Sequence, residues 1–116
     1  MPKIVSYNGQ LLRINPSNNR IERSSNSGRT WITQYSGSYC GKFLDLLEFD
    51  DKILACTDKG VYCLSSGGTS WVAKCTSSIA KSITILQDGG GELLGLSDDG
   101  HIYASSNSGA TWIRRR

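Results

Sequence analysis

Short runs of apolar residues alternate with turn-forming residues along the whole chain. No stretch sustains the spacing of three to four residues that marks an amphipathic helix, so no helix is predicted. Turn formers such as Asn8-Gly9 and Asp98-Asp99-Gly100 bound the runs and favour tight hairpin turns. The pattern therefore predicts an all-β chain. The twelve predicted strands are residues 3–7, 10–15, 20–24, 30–35, 43–49, 52–57, 61–65, 70–75, 82–86, 92–97, 101–105 and 111–115.

These strands fall into three copies of one unit. A tryptophan recurs at intervals of 40 and 41 residues, and a glycine lies three positions before each tryptophan. Four short strands in about 40 residues are typical of one β-propeller blade. Apolar pairs in the second strand of each unit indicate burial on both faces, between neighbouring blades. We therefore predict a single domain, residues 1–116, with three four-stranded blades at about 1–36, 37–76 and 77–116.

The turn before each tryptophan carries the clearest motif. Residues 24–31 read SSNSGRTW and residues 105–112 read SSNSGATW. Both resemble the Asp-box, the S-x-D-x-G-x-T-W repeat of sialidase-like (BNR) propellers, with Asn26 and Asn107 in place of Asp. The copy at 64–71 keeps only its glycine and tryptophan. The residues that carry the resemblance are Ser24, Asn26, Gly28, Thr30, Trp31, Gly68, Trp71, Ser105, Asn107, Gly109, Thr111 and Trp112.

The resemblance implies a structural turn that is remote from any active site. The short polar side chains are expected to hydrogen-bond backbone groups of their own turn. The glycine permits a backbone conformation that is closed to residues with a Cβ. The tryptophan begins the outer strand and is expected to bury its ring against the next blade.

A second stretch resembles the arginine-bearing (F/Y)-R-I-P motif of sialidases and places Arg13 at the arginine position. Asn15 interrupts this copy, and no arginine lies between Arg29 and Arg114 to complete that family's arginine triad. We therefore favour a non-enzymatic binding or scaffold module, with a glycoside hydrolase of rearranged site as the alternative. The candidates for a channel or ligand site are Arg13, Asp45 and Glu48.

Composition and charge limit the classes of partner and cofactor that the sequence leads us to expect. A net charge of +3 without a basic, aromatic-rich stripe makes nucleic acid an unexpected partner. The four cysteines lie in one third of the chain without close pairs and far from the single histidine, so no metal or cofactor is expected. The cysteines are interpreted as reduced thiols, with a Cys63–Cys75 disulfide as the lesser alternative. No signal peptide or membrane span is recognised, which favours a cytoplasmic location.

Three blades are fewer than the four to eight of closed propellers. The first and last blades would expose apolar faces unless something covered them. Two copies related by a two-fold axis supply six blades, so we predict a homodimer in which blade 1 of each copy meets blade 3 of the other. Its ligand would be a carbohydrate or a protein. Tyr7, Tyr35 and Tyr39 are candidates for stacking on sugars, although packing at blade edges or between blades is the favoured role of each. The remaining alternative is a purely structural ring.

Overall fold

The computed structural model describes residues 4–7, 9–15, 19–36, 39–49, 52–65 and 70–115. These residues form three antiparallel sheets, each made of four consecutive strands, which confirms the predicted all-β chain of three units. Blade 1 comprises β1 to β4, blade 2 comprises β5 to β8 and blade 3 comprises β9 to β12. The strands are β1 (Ile4–Tyr7), β2 (Gln10–Asn15), β3 (Arg20–Ser24), β4 (Ile32–Tyr35), β5 (Phe43–Phe49), β6 (Lys52–Thr57), β7 (Gly60–Leu64), β8 (Trp71–Cys75), β9 (Ile83–Asp88), β10 (Leu93–Ser97), β11 (Ile102–Ser105) and β12 (Ile113–Arg114).

Two outer strands begin two residues later than the sequence predicts. β4 begins at Ile32 and β12 at Ile113, because the preceding threonines belong to the turns. The Thr30 N–H donates to Asn26 Oδ1, and the Thr111 N–H donates to the equivalent asparagine, so neither amide is free for a strand ladder. The turn chemistry therefore sets where these strands start.

A short helix, α1 (Ser78–Ser82), precedes β9 and was not predicted. Ser77 caps it, because its Oγ accepts from the Ala80 N–H at 3.3 Å. Ala80 is fully buried in the core between blades 2 and 3. A helix of one turn is too short to show a period in sequence, and tertiary packing supplies its stability.

The blades stack face to face through two apolar cores. One core joins blade 1 to blade 2, and the other joins blade 2 to blade 3. β6 belongs to both, because Ile53 and Ala55 point into the first core while Leu54 and Cys56 point into the second. The first strands of the blades contact one another in series, β1 with β5 and β5 with β9. They are therefore the innermost strands.

Trp71 and Trp112 pack on the preceding blade and not on the next one, which corrects the sequence expectation for these two tryptophans. Trp71 is 3% exposed in the core between blades 1 and 2, and its indole N–H donates to Gln34 Oε1 of β4. Trp112 lies in the core between blades 2 and 3. Gly95 makes room for it, because a Cβ there would lie 3.0 Å from Trp112 Cζ3.

Candidate functional site

The turn at residues 24–31 is held by its own polar side chains. Asn26 Oδ1 accepts from Ser24 Oγ at 2.9 Å and from the Thr30 N–H at 3.0 Å. Asn26 Nδ2 donates to Thr30 Oγ1 at 2.8 Å, and the Gly28 N–H donates to Ser24 Oγ at 2.8 Å. This asparagine therefore both accepts and donates within one turn.

The turn at residues 105–112 repeats the arrangement. Asn107 Oδ1 accepts from Ser105 Oγ at 2.8 Å and from the Thr111 N–H at 2.9 Å, and Asn107 Nδ2 donates to Thr111 Oγ1 at 2.9 Å. Gly109 has a φ of +98°, a conformation that favours glycine. These polar groups are engaged within the turns, as a structural role requires. In the degenerate middle copy, Gly68 lies outside the described residues.

The turns give a first testable prediction. Asn26→Ala or Asn107→Ala removes an acceptor from a backbone amide and is expected to lower the free energy of unfolding by about 1 kcal/mol each. Asn→Asp at either position keeps the acceptor oxygen and makes these hydrogen bonds charge-assisted. It replaces the Nδ2 donor by an oxygen that the rotated threonine hydroxyl can bond, so stability should be retained or rise. Urea unfolding at fixed protein concentration measures both. An aspartate variant less stable than its alanine counterpart would contradict the geometry.

Arg13 lies on the face of blade 1 that is turned away from blade 2, which we call the open face of blade 1. Its Nε donates to Glu22 Oε1 at 2.9 Å, and its guanidinium carbon lies 4.1 Å from the centre of the Trp31 ring. Asn15 Nδ2 donates to the other Glu22 carboxylate oxygen at 3.2 Å. The structure thus joins two residues, Arg13 and Trp31, to which the sequence assigns separate roles.

The same place in each blade holds one residue pair across the second and third strands. In blades 2 and 3 the pair is a small residue with a tyrosine, and in blade 3 the glycine leaves space for Trp112. In blade 1 it is an ion pair. The pairs in register are Arg13–Glu22, Ala55–Tyr62 and Gly95–Tyr103.

Burial would by itself raise the pKa of Glu22, but hydrogen bonds from Asn15 and Arg13 and the charges of Arg13 and Arg20 lower it overall. A carboxyl group whose pKa is depressed by folding stabilises the protein above its unfolded pKa, about 4.5, and loses that contribution as the pH falls further.

We therefore expect Glu22→Gln to reduce stability at neutral pH and to have a smaller effect once the pH lies below the folded pKa of Glu22. Urea unfolding of the wild type and the variant across acidic and neutral pH measures the difference. Glu48→Gln, on an exposed side chain, is the matched control and should change stability by no more than about 0.5 kcal/mol at neutral pH. A stability difference for Glu22→Gln that stays the same from neutral to acidic pH would contradict the assigned ion pair.

The other two candidate ligand residues, Asp45 and Glu48, lie on β5. Asp45 is 7% exposed, and its two carboxylate oxygens accept from the N–H groups of Leu46 and Leu86, each at 2.9 Å. The carboxylate thus connects the innermost strands of blades 2 and 3 and offers a ligand little surface. Glu48 is exposed. Arg13, Asp45 and Glu48 therefore do not converge, because Arg13 faces away from blade 2.

Blade 3 carries a second open face, turned away from blade 2. It holds a shallow apolar groove of about 150 Å³ in which Ile85 and Leu96 are 47% and 38% exposed. The repeat pattern predicts an apolar face on this blade, and strand register identifies its residues. The groove is lined by Ile85, Gln87, Leu94, Gly95, Leu96 and Ile102.

A polar cleft of about 300 Å³ lies where blades 2 and 3 meet, lined by Phe49, Asp88, Gly91, Ser106 and Ser108. Asp88 Oδ1 accepts from the Gly90 N–H in the β9–β10 turn. The cleft combines one carboxylate with two serines, which are candidate ligand groups.

His101 belongs to a turn with Ser97 and Asp99. Ser97 Oγ donates to Asp99 Oδ1 and accepts from the His101 N–H at 3.1 Å. The hydrogen bond from Ser97 is the main cause that lowers the pKa of Asp99. The side chains of Ser97 and Asp99 therefore stabilise the conformation of the β10–β11 turn.

Metal and membrane features are absent from the residues that the structure describes. No group of three or more His, Cys, Asp and Glu side chains there is placed to hold a metal ion. The cysteines Cys40, Cys56, Cys63 and Cys75 are all free thiols. No helix in the described ranges is long and apolar enough to cross a membrane.

The stacked four-stranded sheets define a segment of a β-propeller, and comparison with solved structures agrees. YCF48 bound to a D1 peptide matches with a TM-score of 0.72 at 12% identity, over 97% of this chain and 44% of that one. An ancestral GH74 enzyme matches with 0.70 at 14% identity, over 97% and 17%. The N-terminal domain of Nup159 matches with 0.59 at 12% identity, over 98% and 29%.

YCF48 and the GH74 enzyme are β-propeller proteins, so the three four-stranded sheets of this chain have the β-propeller fold. The chain spans less than half the length of each of them. No protein-family model matches the chain, and no curated protein matches it either.

Proposed function

We propose that this chain is a non-enzymatic β-propeller binding module whose ligand is a protein, and that two copies complete its six-bladed ring. The pair of open faces on blades 1 and 3 carries the two-copy ring, and the engagement of Arg13 and Asp45 within the fold carries the non-enzymatic role. The Asp-box relationship belongs to the same proposal, and the hydrogen bonding of Asn26 and Asn107 supports it. A cytoplasmic location stays a prediction, which the four free thiols support.

The charged groups favour binding over catalysis because their hydrogen-bonding capacity is used within the fold. Arg13, the residue on which a sialidase-like mechanism depends, is paired with Glu22 and stacked on Trp31. The Asp45 carboxylate serves two backbone amides. Catalytic acids and nucleophiles must instead reach the substrate.

A protein ligand is favoured because two of the matched proteins are seen with protein partners. The YCF48 structure contains a D1 peptide, and one Nup159 structure also contains dbp5 and gle1. The loop-rich faces of a propeller acquire their binding partners independently of the fold. The likeness therefore supports protein binding as a kind of function and does not identify the partner.

Two measurements test the proposal. Light scattering of the purified chain should give twice the 12.6 kDa of one copy. Selection from a library of short random peptides should then enrich a consensus that binds the dimer. A stable monomer would overturn the two-copy ring, and failure to enrich any peptide would overturn the protein-binding role.

Carbohydrate binding is the second candidate, and the polar cleft beside Asp88, Ser106 and Ser108 favours it. Tyr39 is 60% exposed and lies edge-on to Tyr62, so its ring is accessible for stacking. Tyr35 is instead packed against Phe43. Hits on a glycan array that are lost in Asp88→Ala would replace the protein-binding proposal.

The hydrolase alternative has the GH74 likeness in its favour. It requires turnover of a fluorogenic sialoside or other glycoside, and that turnover must be abolished by Arg13→Ala. Turnover of this kind would contradict the non-enzymatic proposal.

A further inference from the structure

Blade-to-blade packing follows one rule at both internal interfaces. Three apolar residues from the second and third strands of one blade share a core with the tryptophan of the following blade. In blade 1 the three are Leu12, Ile14 and Ile21, which share a core with Trp71. In blade 2 they are Leu54, Cys56 and Val61, which share a core with Trp112.

Blade 3 presents the same three positions on its open face. Strand register makes Leu96 and Ile102 the counterparts of Cys56 and Val61, because each pair lies opposite across the second and third strands. Leu94 completes the set, and all three residues line the apolar groove. The open face of blade 3 therefore has the same kind of apolar surface that packs against a tryptophan at the two internal interfaces.

Trp31 is the tryptophan that no internal interface uses. At the equivalent turn of blade 3, a Cβ on Gly109 would lie 3.7 Å from Trp112, 3.5 Å from Leu93 and 3.0 Å from Val61 of the preceding blade. At Gly28 a Cβ would lie 3.7 Å from Trp31 and 3.9 Å from Leu11, and no further described residue comes within 4 Å. The counterpart of Val61 is Ile102.

We propose that Trp31 of one copy packs into the groove formed by Leu94, Leu96 and Ile102 of a second copy. This inference rests on the proposed two-copy ring and specifies its interface. A second copy is the occupant because one chain carries both halves of the interface, and each half repeats an interface that the fold already contains. Ile4, 54% exposed, accompanies Trp31, since its register counterpart Leu46 is fully buried between blades.

The Arg13–Glu22 pair makes this interface weaker than the internal ones. Blades 2 and 3 place the pairs Ala55–Tyr62 and Gly95–Tyr103 against a core. At the equivalent position blade 1 has the Arg13–Glu22 ion pair. Desolvating an ion pair costs more than burying apolar residues of similar volume. Because Glu22 is already bonded to Arg13 and Asn15, the pair enters the interface with its charges compensated.

Complementation between two variants tests the interface. Trp31→Ala removes the ring that enters the groove, and Leu96→Asp places a charge in the groove. Each variant alone spoils both interfaces of a two-fold ring, so its dimer dissociation constant should rise by roughly 30-fold or more. An equimolar mixture keeps one intact interface per heterodimer and should regain association. Ile32→Ala and Ile113→Asp, both at exposed positions beside a tryptophan, are the matched controls.

Sedimentation at fixed concentration separates the outcomes, with circular dichroism to verify folding. A dimeric wild type whose two variants fail to complement each other would overturn the assigned interface and leave the two-copy ring standing. A monomeric wild type would overturn the ring and the interface together.

A gain-of-function variant keeps the test independent of folding losses. Arg13→Ala with Glu22→Tyr copies the Ala55–Tyr62 pair of blade 2 and should tighten the dimer on the order of tenfold. Unchanged or weaker association of this folded double variant would contradict the equivalence of the closing and internal interfaces.

Discussion

Replacing Trp112 with alanine should lower the free energy of unfolding by about 3–5 kcal/mol. Trp112 is 8% exposed and packs between blades 2 and 3 with Leu54, Cys56 and Val61. Truncation removes most of this contact and leaves a cavity in a core that the two rigid sheets cannot readily close. Since domains of this kind are stable by about 5–15 kcal/mol, a large share would be lost. Urea unfolding at fixed protein concentration measures the change.

The neighbouring Ile113 is the matched control for this prediction. Its side chain is 68% exposed, so Ile113→Ala should alter stability by no more than about 0.5 kcal/mol. Trp112→Phe keeps a ring in the core but gives up the indole hydrogen bond to Gly109 O, and should lie between the two variants. Equal losses for Trp112→Ala and Ile113→Ala would contradict the position of the tryptophan in the core.

The strand pattern could be predicted because each strand is short, apolar and bounded by turn-forming residues. β2 and β6 begin and end at the predicted residues, 10–15 and 52–57. The late starts of β4 and β12 could not be read from apolar spacing, because they depend on side-chain hydrogen bonds to Thr30 and Thr111. The helix Ser78–Ser82 is a single turn, and Ser77 was its only local signal.

The roles of individual side chains were less predictable because they depend on which blade faces which. Alignment of the repeats places Arg13 at the position that Ala55 and Gly95 hold in the other two blades. The sequence alone therefore shows that blade 1 differs from its neighbours at this position. Its stacking on Trp31 follows only when strand register assigns both residues to one face. The groove of blade 3 likewise needs the register that brings Leu96 opposite Ile102.

Asp45 shows the same dependence most clearly. As an acidic residue on an innermost strand, it was a natural candidate for a channel-facing group. One of the two N–H groups that it accepts from belongs to Leu86, far along the chain, and no local pattern indicates that this amide needs an acceptor. Both Leu46 and Leu86 are buried, so their amides have little access to water.

Asp45→Ala should therefore lower the free energy of unfolding by about 2–6 kcal/mol, because two buried N–H groups would lose their acceptor at about 1–3 kcal/mol each. Asp45→Asn keeps one acceptor oxygen but turns an amide NH₂ toward the other N–H, so an intermediate loss is expected. Glu48→Ala, at an exposed position on the same strand, should change stability by no more than about 0.5 kcal/mol. Urea unfolding measures all three. Similar small effects at positions 45 and 48 would show that the carboxylate does not join blades 2 and 3.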